Sequence, residues 1–197
     1  MNINHFVIAC KNGNLNEAQK LLRPYILQSS DTRIAFQYAC ENGHLQVAQW
    51  LLQINPTINV SASGDFAFRW ACANGHLQVA QWLYYINPTI DVSADNEFAL
   101  RRAYENGHLQ VAQWLLQIKP TIDEEAFRYS CENGNLLVAQ WIRTLNPYKY
   151  SIKITNAGIK YKIFANYNVI MVLYALQTHS YNNRLTANLI TTINKYV

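Results

Sequence analysis

The stretch NGHLQVAQWL at Asn42–Leu51 returns unchanged at Asn74–Leu83 and Asn106–Leu115, and in looser form as NGNLNEAQKL from Asn12 and NGNLLVAQWI from Asn133. The glycines that anchor these copies, Gly13, Gly43, Gly75, Gly107 and Gly134, follow at intervals of 30, 32, 32 and 27 residues. Such a period marks a solenoid, because one unit of that size cannot enclose a core and must bury its apolar face against its neighbours. Function is therefore expected on a surface shared between units.

Working outward from the decapeptide, HLQVAQWLLQI places Leu109, Val111, Ala112, Leu115 and Leu116 on one helical face. The preceding EFALRRAYE reads as a first helix, with Phe98, Leu100, Ala103 and Tyr104 as its less polar positions. Between the two, Asn-Gly is flanked by helical periodicity on both sides, so Gly107 is expected to end the first helix in a left-handed conformation. All five prolines, Pro24, Pro56, Pro88, Pro120 and Pro147, follow second helices. The linkers NPTINVSASGD and NPTIDVSADNE are long enough to project as an extended loop or short hairpin, whereas only TIDEE follows Pro120. The reading is an all-α solenoid of five repeats over residues 1–147. Residues 148–197 read as a degenerate sixth repeat, with helical patterns from Ile159 to Gln177, and a capping helix at Arg184–Tyr196, the whole forming one continuous domain.

Hydrophobic content of 50% against 14% charge excludes a disordered chain. The N-terminus has neither the basic start nor the apolar stretch of a signal peptide, and the longest apolar run, Val169 to Leu176, is too short to span a bilayer. An intracellular, cytoplasmic monomer without membrane insertion is expected. Cys10, Cys40, Cys72 and Cys131 each sit three residues before a repeat glycine. Helix pairs stacked at about 8–10 Å hold equivalent slots too far apart for a disulfide or a four-ligand zinc site. The cysteines read as buried packing positions, and His44, His76 and His108 as turn histidines. No metal, cofactor or catalytic residue is expected: the chain has no phosphate-cradling glycine loop and no Cys–His constellation off the repeat register.

These residues resemble the ankyrin repeat, whose unit of about 33 residues carries G-H-L-x-V-x-x-L-L after the inter-helix turn. Here Gly75, His76, Leu77, Val79 and Leu83 fill that stretch, behind Ala71 and Cys72. The family's T-P-L-H opening is replaced by Ile34-Ala35-Phe36-Gln37, Phe66-Ala67-Phe68-Arg69, Phe98-Ala99-Leu100-Arg101 and Glu125-Ala126-Phe127-Arg128. The repeated QWL with an Asn/Lys-Pro ending is also similar to the ankyrin families of giant viruses of amoebae. The resemblance implies a non-enzymatic scaffold that binds a protein, such as a host factor, on the concave face made by fingers and first helices.

Five residues before each glycine, a slot that borders that face, stand Ile8, Tyr38, Trp70, Arg102 and Tyr129. Aromatic and arginine side chains dominate binding hot spots; the alternative is that this stripe packs between first helices. Lys11, Glu41, Ala73, Glu105 and Glu132, two residues before each glycine, would flank it. The invariant Trp50, Trp82, Trp114 and Trp141 read as packing across the junction of neighbouring second helices. Charge is uneven. Residues 1–132 hold nine Lys/Arg and twelve Asp/Glu, whereas residues 133–197 hold seven Lys/Arg and no acid. That basic end, with Lys149, Lys153, Lys160 and Lys162, reads either as a solvated cap or as a binder of nucleic acid or an anionic surface. Seven charges over 65 residues form no dense patch, so nucleic acid is not the expected partner. An adaptor for a degradation machine is a further alternative.

Overall fold

The computed structural model describes residues 3–22, 29–120, 124–147, 149–155 and 158–163. The expected capping helix at residues 184–196 and most of the degenerate sixth repeat lie outside them. The chain divides into two compact units, Met1–Ile122 and Asp123–Val197, at the shortened linker after Pro120. The first unit holds four helical hairpins: α1 (Ile3–Lys11) with α2 (Leu15–Leu21), α3 (Ser29–Glu41) with α4 (Leu45–Ile54), α5 (Ala62–Ala73) with α6 (Leu77–Ile86), and α7 (Ala94–Glu105) with α8 (Leu109–Ile118). The second holds α9 (Glu124–Glu132), α10 (Leu136–Leu145) and a two-stranded antiparallel sheet, β1 (Tyr150–Thr155) and β2 (Gly158–Ile163). The fold is an all-α repeat solenoid to which a small hairpin is appended.

Each inter-helix turn forms as the Asn-Gly pattern predicts. Gly13, Gly43, Gly75, Gly107 and Gly134 have φ between 73° and 82°. At the central copy, Gly75 N–H donates to Cys72 O (3.1 Å) and His76 N–H to Ala71 O (2.8 Å), closing α5 with a left-handed cap. The core is built from the periodic positions: Phe36, Ala39 and Cys40 on α3, Phe68, Ala71 and Cys72 on α5, and Val79, Ala80 and Leu83 on α6 are all buried. Burial raises the cysteine thiols, Cys10 to about 12 and Cys131 to about 11, so all four behave as small apolar side chains.

Two expectations are corrected. The linkers at residues 55–61 and 87–93 form no strand and do not extend. They fold back as compact turns: Thr57 N–H and Oγ1 donate to Asn55 Oδ1 (3.2 and 2.6 Å), Thr89 repeats both bonds to Asn87, and Ile58 and Ile90 are buried beneath. An Asn before Pro captures its own backbone two residues on, and that local bond competes successfully with sheet pairing. The turns also close each unit, since Asn55 Nδ2 donates to Thr32 Oγ1 (2.8 Å) and Asn87 Nδ2 to Ser61 Oγ (2.6 Å). Second, residues 150–163 form strands, including Ile159–Ile163, where a helical pattern was expected to begin. YSIKIT and GIKYKI alternate with period two, and that period prevails over the helical one in the segment.

Candidate functional site

Neighbouring units in the first half interlock through their turns. A Cβ placed on Gly13, Gly43 or Gly75 would lie 2.5 Å from Nδ1 of His44, His76 or His108, the histidine of the following unit. Glycine is thus required here both for its left-handed backbone and for the space that the next imidazole fills. His76 bonds to the backbone of Glu41, and His108 to that of Ala73. The same carbonyls accept Asn74 Nδ2 (2.8 Å) and Asn106 Nδ2 (2.7 Å). Burial, reinforced at His76 by His108 and His44, lowers the pKa of His76, and burial lowers that of His108. Neutral rings suit this seat, so these histidines belong to the stack. Among the described residues no group of three or more His, Cys, Asp or Glu could hold a metal ion.

The tryptophan ladder is packing of a kind the sequence did not specify. Trp50, Trp82 and Trp114 each lie on a phenylalanine of the preceding unit's first helix, Phe6, Phe36 and Phe68, with centroids 6.3, 6.2 and 6.1 Å apart. The contact therefore runs from second helix to first helix, at a tilted geometry suited to aromatic quadrupoles.

The opposite, first-helix face carries the variable stripe. Ile8 is 50% exposed and Tyr38 36%. Lys11 Nζ lies 5.3 Å from the Tyr38 ring centroid, joining α1 to α3. Trp70 is half-buried between Phe66 (5.7 Å) and Phe98 (5.4 Å), and the exposed Arg102 places its guanidinium 5.4 Å from the Phe98 centroid. Trp70 and Arg102 thus meet around one ring. Glu105 is half-buried and pairs with Arg102 at 2.8 Å, while Glu41 is half-buried and lends its carbonyl to the turn. Tyr129 belongs to the second unit, where Arg128 covers its ring at 4.7 Å and its hydroxyl donates to Glu125 Oε2 (3.4 Å). Of the basic end, Lys149 is half-buried just before β1, and Lys153, Lys160 and Lys162 fall within the sheet.

Two participants were not picked out as part of this face by the sequence pattern. Phe98 was legible as core, and its role as the ring that joins Trp70 to Arg102 emerges only from the packing. Arg69 stands where the resembled family carries the His of T-P-L-H. Its Nε donates to Gly64 O (2.8 Å), its Nη2 to Ser63 O (3.3 Å), and its Nη1 pairs with Asp95 Oδ2 (2.5 Å) in the next unit, with the guanidinium 5.3 Å from the Phe98 centroid. The clamped carbonyls belong to a left-handed turn in which Ser63, Gly64 and Asp65 have φ of 60°, 65° and 58°. Asp95 and Glu97 repeat those values at 56° and 58°. Each non-glycine residue so placed costs roughly 1–2 kcal/mol, and Arg69 holds two such turns together. The signal was present in the recurrence of Arg69, Arg101 and Arg128 at one slot.

No helix among the described residues is long and apolar enough to cross a membrane. No curated protein matches this chain. A family model described as "Ankyrin repeats (3 copies)" matches residues 6–96, which span the first three hairpins and reach into α7. Such repeats are generally protein–protein interaction modules and are typically non-enzymatic. The segment from Phe6 to Asn96 is accordingly similar to a run of ankyrin repeats.

Proposed function

We propose that this protein is a scaffold that captures a protein partner on the first-helix face of Met1–Ile122, with Trp70 and Arg102, both packed on the buried Phe98, as the anchor and Tyr38, Glu41 and Glu105 at its margin. The observation that carries this reading is the convergence of a half-buried tryptophan and an exposed arginine on one phenylalanine. Side chains held by packing lose little entropy on binding and still offer area and directed donors, the profile of a hot spot. The viral flavour of the QWL units makes the partner a host protein and the site of action the host cytoplasm, with the scaffold acting as a monomer.

The test is Trp70→Ala combined with Arg102→Ala. The double variant is expected to lose the partner in affinity capture from host-cell extract while keeping a helical circular dichroism spectrum. A fall in the unfolding midpoint as large as that of the core variant Leu83→Ala would mean that these side chains only pack, and the binding face would then be withdrawn.

A further inference from the structure

Asn-Gly pairs stand at all five inter-helix turns, as Asn12–Gly13, Asn42–Gly43, Asn74–Gly75, Asn106–Gly107 and Asn133–Gly134. Such a pair is chemically labile, because a glycine nitrogen, unhindered by a side chain, can attack the amide carbon of the asparagine before it. The folded turn opposes that attack. Each of the five glycine N–H groups donates to a carbonyl of the helix it caps, at 3.1 to 3.3 Å. The asparagine amides are held as well, by different anchors. Asn74 Nδ2 donates to Glu41 O (2.8 Å) and Asn106 Nδ2 to Ala73 O (2.7 Å), both in the preceding repeat. Asn42 Nδ2 and Asn133 Nδ2 reach back to their own helices, to Tyr38 O (2.8 Å) and Tyr129 O (2.9 Å). At Gly43 and Gly75 the histidine of the next repeat also fills the Cβ position, whereas a Cβ at Gly134 would meet nothing within 4 Å. Gly134 is exposed, while the other four glycines are half-buried. Asn133–Gly134 therefore has neither the bond to a preceding repeat nor the covering ring.

We propose that Asn133–Gly134 is a site of spontaneous modification, converting to isoaspartate or aspartate ahead of the pairs in the three identical decapeptides, and that its product uncaps α9. The reaction requires the turn to open, so its rate follows the population of the open form. At Asn133 opening releases Gly134 N–H from Cys131 O and Asn133 Nδ2 from Tyr129 O, both carbonyls of α9. At Asn74 it must also part the chain from Glu41 and expel the His108 ring. In the open turn the Gly134 nitrogen gives its proton to hydroxide and bonds to Asn133 Cγ. The Cγ–Nδ2 bond breaks, and ammonia leaves with a proton from water, closing a cyclic imide. Water then adds at either imide carbonyl and opens the ring. One water is consumed and one ammonia released, with no change of oxidation state. The product carries a carboxylate where an amide donated to Tyr129 O, and a carboxylate cannot donate. Its charge falls at the C-terminal end of α9, beside Glu132 and with no basic residue in the last turn, where the helix dipole disfavours an anion. The isoaspartate form also adds a methylene to the main chain, which draws Gly134 N–H away from Cys131 O.

The test holds the full chain in mildly alkaline buffer, with and without concentrated urea, and follows each Asn-Gly pair by mass spectrometry of its peptides. In the folded chain Asn133 is expected to convert at least about fivefold faster than Asn42, Asn74 and Asn106, and in urea the four should react at similar rates. His108→Ala should accelerate Asn74 at least about threefold and leave Asn42 unchanged. The converted chain, separated by its added negative charge, should be cut by trypsin at Arg128 and Arg143 at least about fivefold faster than the parent, with cutting at Arg102 unaltered. Asn133→Gln, whose longer side chain closes the larger ring slowly, should keep its original cutting rate over the same period. The proposal is overturned if folded Asn133 converts no faster than Asn74, if the same ranking persists in urea, or if the converted chain is cut like the parent. Equal acceleration of Asn42 and Asn74 in His108→Ala would overturn the protection assigned to the covering ring.

Discussion

Gly75 in the first unit and Gly134 in the second have nearly the same backbone, φ +82° and +75°, yet their surroundings differ. A Cβ at Gly75 would strike the His108 ring at 2.5 Å, whereas at Gly134 it would meet no described atom within 4 Å. The same turn therefore answers two separate requirements. Capping the first helix needs only the left-handed residue, and both glycines meet it. Joining units also needs a hole, and the pairs Gly13–His44, Gly43–His76 and Gly75–His108 show how it is filled. In the fifth repeat the residue after the glycine is Asn135 and not histidine. Ser130 also replaces the alanine of the earlier copies, donating to Ala126 O at 2.8 Å. The last repeat keeps the hairpin and changes the residue after its glycine.

The largest expected effect probes a core slot that recurs within each unit. Leu83 and Ile142 occupy one slot and are both fully buried. Leu83→Ala is expected to cost about 2–5 kcal/mol through lost burial and a cavity, read as a shift of the tryptophan-fluorescence midpoint in urea. Ile142→Ala should cost a similar amount in the second unit. A negligible loss at Leu83 would mean that the helical register of the repeats is wrong.

The turns should separate more sharply. Gly75→Ala adds backbone strain of about 1–2 kcal/mol to an overpacking cost of roughly 1–3 kcal/mol against His108. Gly134→Ala incurs only the strain. Adding His108→Ala to Gly75→Ala should remove the overpacking cost, so the two changes couple in a double-mutant cycle. Additivity in that cycle, or equal losses at the two glycines, would erase the distinction between capping and interlocking.

The smallest effect is acid sensitivity. His76 and His108 have lowered pKa values in the folded chain, so the unfolded chain takes up protons first as pH falls. Their contribution is complete above the ordinary imidazole pKa of about 6.5 and is lost as pH drops through the lowered folded values. The urea midpoint should decline from pH 7.5 to 5, and His76→Asn with His108→Asn should flatten the decline. An unchanged slope in that variant would assign the acid sensitivity to other groups.

Much of the array was legible because its positions recur. Gly107 as a left-handed cap, Phe98, Leu100, Ala103 and Tyr104 as the buried side of α7, and the four cysteines as packing positions all follow from slot and period, and the structure places them so. What did not follow lies in contacts between units. The seating of one residue type on another from a different copy, as with His76 on Gly43 or Trp82 on Phe36, leaves no trace in the periodicity of either helix. The compact linkers were misread because their length suggests projection, while the decisive agent is one Asn side chain capturing the next turn. The hairpin was misread because a short apolar run supports either period until its partner is known. Of the candidate site, the stripe could be placed from its slot; the ring that unites Trp70 with Arg102 could not.

The ring-in-glycine joint has a direction: the second and third repeats each offer a histidine backward and a vacant Cβ position forward. A copied unit inserted next to its parent consequently brings both halves of the joint, already matched. Tandem duplication of a coding segment can lengthen such an array in a single event, without a compensating substitution at the new boundary. Three decapeptides of this chain are identical, as such a route would leave them. Array length is then a trait that heredity can vary more readily than the sequence of any one joint, and reach along a partner can change while the repeat itself stays fixed.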